Sequence, residues 1–267
     1  MPAYGYGAGY GQRRTRGSAR TTYDPAAAAL FAAMTEPPSQ ARKALISAKI
    51  GAMKTAGLWS KYDVYYEFRA HDAQAARLNW KDPAAFALAL ADAPTFTVDR
   101  GYKGDAVNDG LGSTYNPSTF GGQFTQNAAS IGVWVRQAAS YDGASLRADI
   151  YVGLARISRR NTTSAADVSY RVNDATGTFV TPAALTGMFV ANRPDSANKE
   201  LYRNGGVIGT AAVASTGVST VFELLKANSL NFSDAEISLA FAGGALSAQN
   251  IADQYALEEA WRVAVGA

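Results

Sequence analysis

Short segments in which apolar and polar residues alternate dominate the chain after Trp59. Every second residue from Leu146 to Val152 is apolar, and the residues from Ile131 to Arg136 begin with the same alternation. A period of two is typical of half-buried β-strands. No helix-length pattern interrupts residues 128–246, which argues against strands that alternate with crossover helices. We therefore predict an all-β jelly roll or related sandwich, with strands near 62–68, 78–80, 95–98, 128–136, 145–154, 169–173, 187–192, 201–203, 207–209, 221–225 and 237–241.

The end of the chain combines a hairpin signal with a helix signal. Asn204-Gly205-Gly206 lies between two short apolar runs, which predicts a β-hairpin. Ser247 has Asn250 three residues later, and Gly266 follows the last apolar position, so we predict a capped C-terminal helix over 247–265. We expect its buried side to contain Ile251, Tyr255, Ala256, Trp261 and Val265, and its solvent face to contain Glu258 and Glu259.

Residues 23–58 carry helix start and stop signals. Asp24 followed by Pro25 predicts one helix, and Ser39 predicts the start of a second helix that ends at Gly57. The apolar stripe of the second helix is narrow and rich in alanine. It can pack against the sandwich, a partner surface or a neighbouring subunit. We interpret this region as a helical linker or assembly segment ahead of a sandwich over 59–267.

Composition excludes several classes of protein. The 267 residues contain no cysteine, which excludes disulfides and thiolate metal sites and favours synthesis in a reducing cytosol. No apolar run of 18 residues is present, so we expect no membrane partner, and we find no cleavable secretion signal. A net charge of +3 is too small to identify a nucleic-acid-binding protein.

Residues 1–22 differ in composition from the rest of the chain. They contain a Gly/Tyr repeat followed by a basic run without acidic residues, and Gly-rich sequence alone is expected to be disordered. Our hypothesis is an extended arm that anchors the chain to other proteins; a solvated tail is the alternative. Contact with nucleic acid is not predicted from so few arginines. The proposed anchor residues are Tyr4, Tyr6, Tyr10, Arg13, Arg14, Arg16 and Arg20.

Catalytic motifs are absent from the sequence. His71 is the only histidine, which leaves no basis for a catalytic triad or a histidine-ligated zinc site. Glycoside hydrolases need two carboxylates about 5–10 Å apart. Asp234 and Glu236 have a suitable spacing but lie at a strand entry, and Asp63 and Glu67 would be about 13 Å apart along one strand. We therefore predict that the protein is not an enzyme.

Two sets of loop residues suggest ligand binding. Asp105, Asn108 and Asp109 offer oxygen ligands for Ca²⁺, but an Asx-rich turn explains the same residues, and we expect no cofactor. Exposed tyrosines can stack on sugar rings while nearby Asn and Asp side chains bind hydroxyl groups. The proposed carbohydrate-binding residues are Tyr102, Tyr115, Tyr141 and Tyr151, with packing roles as the alternative.

Six segments, taken in order, resemble bacteriophage and prophage virion proteins with a concanavalin A-like, laminin-G-type jelly roll. The resemblance covers roughly residues 59–267, and the arm has no counterpart in it. The segments are Leu78–Pro83, Pro94–Asp105, Ile131–Trp134, Gly187–Arg193, Leu201–Gly205 and Ala245–Gln249.

This resemblance implies a structural protein of a tailed phage or phage-like particle: a head or tail decoration, spike or fibre protein. Such a protein would be made in the cytoplasm of the bacterial host and located in the virion. It would contact other virion proteins through the arm, form a homo-oligomer and touch host surface polysaccharide. A lectin-like receptor-binding protein is the first alternative, and a polysaccharide depolymerase is the second.

Overall fold

Strands make up most of the fold after the first two helices. In the computed structural model, residues 22–141, 146–160, 165–218, 221–228 and 230–267 are described. The strands are β1 (Tyr62–Glu67), β2 (Ala89–Ala91), β3 (Thr95–Thr97), β4 (Gly101–Lys103), β5 (Gly110–Ser113), β6 (Ala129–Gln137), β7 (Leu146–Val152), β8 (Ala155–Arg160), β9 (Val168–Arg171), β10 (Thr178–Val180), β11 (Gly187–Arg193), β12 (Asn198–Arg203), β13 (Gly206–Ala212), β14 (Phe222–Leu224) and β15 (Glu236–Gly243).

The strands form two antiparallel sheets that pack face to face. The first sheet has the order β13-β12-β11-β6-β15-β4-β3, with β1 paired to β15; the second has the order β10-β9-β8-β7-β14-β5-β2. Alternate residues of each sheet, such as Ile131, Val133, Ile150 and Ile157, are fully buried between them. The prediction of an all-β jelly-roll sandwich is therefore confirmed.

The predicted hairpin and helix caps are also confirmed. Arg203 pairs with Gly206, so Asn204 and Gly205 form the turn, and both have the positive φ that a two-residue hairpin of this kind requires. The side chains of Asp24, Ser39 and Ser247 cap three helices as expected. The helices are α1 (Pro25–Ala33), α2 (Gln40–Thr55), α3 (Ala73–Ala76), α4 (Pro117–Phe120) and α5 (Ala248–Val265), with a short 3₁₀ helix at Trp59–Lys61.

Helices α1, α2 and α5 cover the outer face of the first sheet. They form a second apolar core, separate from the core between the sheets. This core contains residues from both sides of residue 58, where the sequence placed the boundary between the helical segment and the sandwich. It joins helix residues such as Ile50, Met53 and Trp261 to the sheet residues Leu239 and Phe241. The leading helices thus pack on the sandwich, one of the arrangements that the sequence left open.

A cluster of four charged side chains lies inside this helix–sheet layer. The Lys49 ammonium group is 2.5 Å from Glu67 and 2.9 Å from Glu258, and the Arg69 guanidinium contacts the same two carboxylates. Glu258 has no exposed surface, so its predicted place on the solvent face of α5 is wrong. Tyr65 and Gln254 also donate hydrogen bonds to it, which explains how a glutamate is accommodated there.

Among the described residues, no helix is both long and apolar enough to cross a lipid bilayer.

Candidate functional site

The outer face of the second sheet carries a line of three polar side chains. Tyr151 of β7 pairs with Arg156 of β8, which in turn pairs with Arg171 of β9. Their neighbours Ile150, Ile157 and Tyr170 point into the core, so the three polar side chains point away from it. We call Tyr151, Arg156 and Arg171 the polar row.

A cavity of about 460 Å³ lies over the polar row. This volume falls within the roughly 300–1,000 Å³ range of small-molecule sites. Apolar walls and amide groups surround the row, so the cavity combines an aromatic ring, guanidinium groups and neutral hydrogen-bonding groups. We call it the Tyr151 cavity; its other lining residues are Leu146, Gly153, Leu154, Val218, Ala227, Asn228 and Asn231.

Arg171, at the end of the row, has no acidic partner among the described residues. Within the described parts of the chain, Arg171 forms no ion pair, and its buried Nε has no hydrogen-bond partner. Glu223 of β14 pairs with Tyr151 on the neighbouring strand. Its carboxylate accepts a hydrogen bond from the backbone amide of Asn228 and contacts Lys226 at 3.3 Å. Arg171 is therefore placed to bind an anionic group of a ligand.

Two of the four predicted sugar-binding tyrosines are accessible at the surface. Tyr151 is half-buried and lines the cavity. Tyr141 is exposed after the end of β6 but does not line the cavity. Sugar contact by these two residues stays a prediction.

The other two tyrosines are core residues, so the prediction that they are exposed to sugars is wrong. Tyr102 is 1% exposed, its hydroxyl donates to the carbonyl of Ala73, and burial raises its pKa to about 12. Tyr115 has no exposed surface and donates to Asp63 at 2.9 Å. Both sit near loops in the sequence, but each ring fills the space between the sheets and each hydroxyl has an internal partner.

The proposed calcium loop forms an Asx turn. One oxygen of Asp105 accepts hydrogen bonds from the amides of Val107, Asn108 and Asp109 at 2.8–3.1 Å. Asp109 accepts from the Ala93 amide, and the Asn108 amide group donates to Asp92. Among the described residues, no three His, Cys, Asp or Glu side chains converge as a metal site. The loop thus matches the alternative that the sequence favoured.

The carboxylates considered for hydrolysis have separate structural partners. Glu236 pairs with Arg100, whereas Asp234 accepts from the Ser140 amide. Asp63 binds Tyr115 and two loop amides, and Glu67 belongs to the buried charge cluster. His71 bonds the Glu36 carbonyl and contacts the adjacent Asp72. None of these groups lines the Tyr151 cavity.

The anchor residues of the proposed arm lie outside the described residues, which begin at residue 22. These residues are Tyr4, Tyr6, Tyr10, Arg13, Arg14, Arg16 and Arg20, and their role stays a prediction.

Comparison with solved structures shows the same fold in receptor-binding domains of botulinum neurotoxins. The serotype D ligand-binding domain in complex with N-acetylneuraminic acid is 10% identical, with a TM-score of 0.57, over 77% of this chain and 52% of that one. The serotype G binding domain is 12% identical, with a TM-score of 0.57, over 74% of this chain and 51% of that one. This chain thus spans about half the length of the solved chains it matches.

At this level of identity, the likeness shows the fold alone. No family model matches the chain. No curated protein matches it either. The jelly-roll part of the resemblance noted in the sequence is therefore confirmed, and its phage part stays a prediction.

Proposed function

We propose that this chain is a carbohydrate-binding module and that the Tyr151 cavity binds an acidic sugar. The polar row carries this proposal, because it places an aromatic ring and Arg171, which has no acidic partner in the described parts of the chain, in one cavity of suitable size. Tyr151 offers its ring to the C–H face of a sugar, and Asn228 and Asn231 offer amide groups to hydroxyls. The Arg171 guanidinium can donate two parallel hydrogen bonds to a carboxylate in a bidentate contact.

A solved structure with the same fold supports the proposed preference for an acidic sugar. N-Acetylneuraminic acid, which is bound by the serotype D neurotoxin domain, carries a carboxylate. The proposed binding needs no turnover, which agrees with the separate structural partners of the carboxylates described above. A lectin-like role is thus better supported than a depolymerase.

Binding should depend on Arg171. In isothermal titration with a sialylated oligosaccharide, we expect Arg171→Ala to weaken binding about tenfold or more, because hydrogen bonds to charged groups contribute about 1.5–3 kcal/mol. The neutral counterpart, which lacks the terminal acidic sugar, should bind more weakly and should not distinguish Arg171→Ala from the wild type. Tyr151→Ala should weaken the binding of both oligosaccharides about three- to tenfold.

Lys61→Ala is the matched control, because this substitution also removes one positive charge. Lys61 is exposed and lines neither of the polar cavities. If Lys61→Ala and Arg171→Ala lost the same affinity, the loss would be explained by net charge alone, and the Tyr151 cavity would be rejected as the binding site. Absence of saturable binding to either oligosaccharide would reject the proposed function.

We further propose that the module is displayed on a phage-like particle, with residues 1–22 as its anchor. This part rests on the sequence resemblance. The described residues from Ala27 to Trp261 already form two apolar cores, and we expect them to fold without the arm. Deleting residues 1–22 should therefore leave the thermal unfolding midpoint unchanged while particles no longer incorporate the protein. Incorporation equal to that of the full chain would contradict the anchor.

A further inference from the structure

A second polar cavity, of about 350 Å³, lies on the opposite side of the sandwich from the polar row. It opens where the end of α5 meets the first sheet, beside the end of β6 and the start of β11. We call it the Arg136 cavity. The charged side chains that line it are Arg100, Arg136, Arg203, Arg262, Glu236 and Glu259.

The four guanidinium groups of this cavity outnumber the side-chain carboxylates by two, and Arg262 also donates to an oxygen of Ala267 at 3.2 Å. Glu236 is shared, since one of its oxygens is 3.0 Å from Arg100 Nε and 3.3 Å from Arg136 Nε. Glu259 pairs with Arg262 at 2.8–2.9 Å. Arg203 donates through Nε to the backbone carbonyl of Thr186, which leaves its charge uncompensated among the described side chains.

Arg136 is held in an unfavourable environment for a cation. Its side chain is only 18% exposed, and its buried Nε lacks a hydrogen bond within the described part of the chain. Burial lowers the pKa of Arg136, Arg100 lowers it further, and Glu236 only partly opposes them. An anion beside Arg136 would relieve this crowding of positive charge.

The positions of Arg136 and Arg203 suit a ligand group placed between them. Arg203 ends β12 and Arg136 lies on β6, with β11 between these two strands. Two strand spacings separate them by about 10 Å across the sheet, and Arg203 aligns with Val133, three residues before Arg136, which adds about 10 Å along the strands. Their backbones are thus about 14 Å apart, a distance that two arginine side chains can span around a single group. The bond from Arg203 to Thr186, which directly precedes β11, directs it towards the Arg136 side.

We propose that the Arg136 cavity binds a tetrahedral oxyanion, a phosphate or sulfate group, between Arg136 and Arg203. The excess of guanidinium groups over side-chain carboxylates favours an anionic ligand. The several oxygens of a tetrahedral group can accept from both guanidiniums at once. The two carboxylates of the cavity already have partners, Glu236 with Arg100 and Arg136 and Glu259 with Arg262. The group can be a free ion or an ester on a saccharide.

The test titrates the full chain with inorganic phosphate and sulfate at constant ionic strength, and with a sulfated oligosaccharide and its unsulfated counterpart. The side-chain Nε–H signals of arginine are followed by NMR. We expect saturable shifts at Arg136 and Arg203. Tighter binding of the sulfated oligosaccharide than of the free ions identifies an ester as the ligand, and the reverse identifies the free ion.

Two variants test the two arginines separately. Arg136→Gln should weaken binding of the preferred anion about tenfold or more, and Arg203→Gln, which replaces a side chain that also donates to the Thr186 carbonyl, should weaken it several-fold. Lys61→Gln should leave it unchanged. The Arg136 and Arg203 signals, followed apart from the Arg171 signal, separate this site from the Tyr151 cavity. If no anion saturates the wild type, or if Arg203→Gln and Arg136→Gln both bind as the wild type does, the site does not exist.

Discussion

Glu258→Ala is expected to lower the free energy of unfolding by about 3–5 kcal/mol, one of the two largest effects that we predict for single substitutions in this chain. The Glu258 carboxylate has no exposed surface and accepts hydrogen bonds from Lys49 at 2.9 Å and Gln254 at 2.5 Å, and from Arg69 and Tyr65. Its removal leaves two buried cations with one carboxylate between them. An uncompensated buried charge is far more destabilising than a lost surface ion pair.

The neighbouring residue Glu259 provides the control. Glu259 pairs with Arg262 at the surface, where the two side chains are 32% and 38% exposed, so Glu259→Ala should change stability by less than about 1 kcal/mol. Urea unfolding of both variants, with midpoints and slopes compared, measures the difference. A loss below 1 kcal/mol in Glu258→Ala would show that water or rearrangement compensates the cluster.

A double variant tests the cause of the loss. Lys49→Met with Glu258→Leu removes one cation and one carboxylate, which leaves Arg69 with Glu67 in a balanced pair. Replacing a buried ion pair by apolar side chains is often neutral or stabilising. We therefore expect the double variant to be more stable than Glu258→Ala alone. Equal instability of the two would point to lost packing rather than to unpaired charge.

Local signals in the sequence were sufficient for the helix ends and the hairpin. Ser247 caps α5 because its hydroxyl accepts from the Asn250 amide while the Asn250 side chain accepts from the Ser247 amide. Asn204 and Gly205 adopt positive φ because the turn geometry requires it. Each of these features depends on residues that are neighbours in the chain, and for this reason they were predictable.

Glu258 shows where such reasoning fails. Periodicity places a charged residue of a surface helix towards solvent, because an isolated buried carboxylate is very unfavourable. The residues that stabilise Glu258 come from α2 and from the region of β1, about 190–210 positions earlier in the chain. Nothing in the sequence around Glu258 reveals that Lys49 and Arg69 face it.

The candidate site was found only in part for a similar reason. Tyr151 could be identified as a polar-face aromatic of a predicted strand, but Arg156 and Arg171 acquire their role through the pairing of three strands. A shift of one residue in that register would point both arginines at the core. Conversely, Tyr102 and Tyr115 border loops in the sequence, and only the packing of the two sheets shows that they are enclosed.

The second large effect is expected for Asp174→Asn. Asp174 follows β9 of the second sheet and has no exposed surface. Its two oxygens are 2.8 Å from Lys199 of β12 and 3.1 Å from Arg193 of β11, both in the first sheet and both fully buried. The neutral amide cannot compensate two cations, so we expect a loss of about 3 kcal/mol or more in the free energy of unfolding.

The control for Asp174→Asn is the same substitution at Asp195. Asp195 is exposed and accepts hydrogen bonds from the Ala197 and Asn198 amides at 2.8 Å, which an asparagine oxygen can also accept. Asp195→Asn should therefore change stability by less than about 1 kcal/mol. If Asp174→Asn unfolds at the same urea concentration as Asp195→Asn, the charge cluster does not hold the two sheets together.

The pH dependence of Asp174→Asn gives an independent measure. Burial lowers the pKa of Lys199 in the folded protein, Asp174 opposes this shift, and Arg193 adds to it. Without the carboxylate, the folded pKa falls further below the unfolded value of about 10.4. Between these two values the unfolded chain binds more protons, so stability rises with pH. Urea midpoints between pH 7 and 10 should therefore rise more steeply for Asp174→Asn than for the wild type, and parallel curves would show that Lys199 does not sense Asp174.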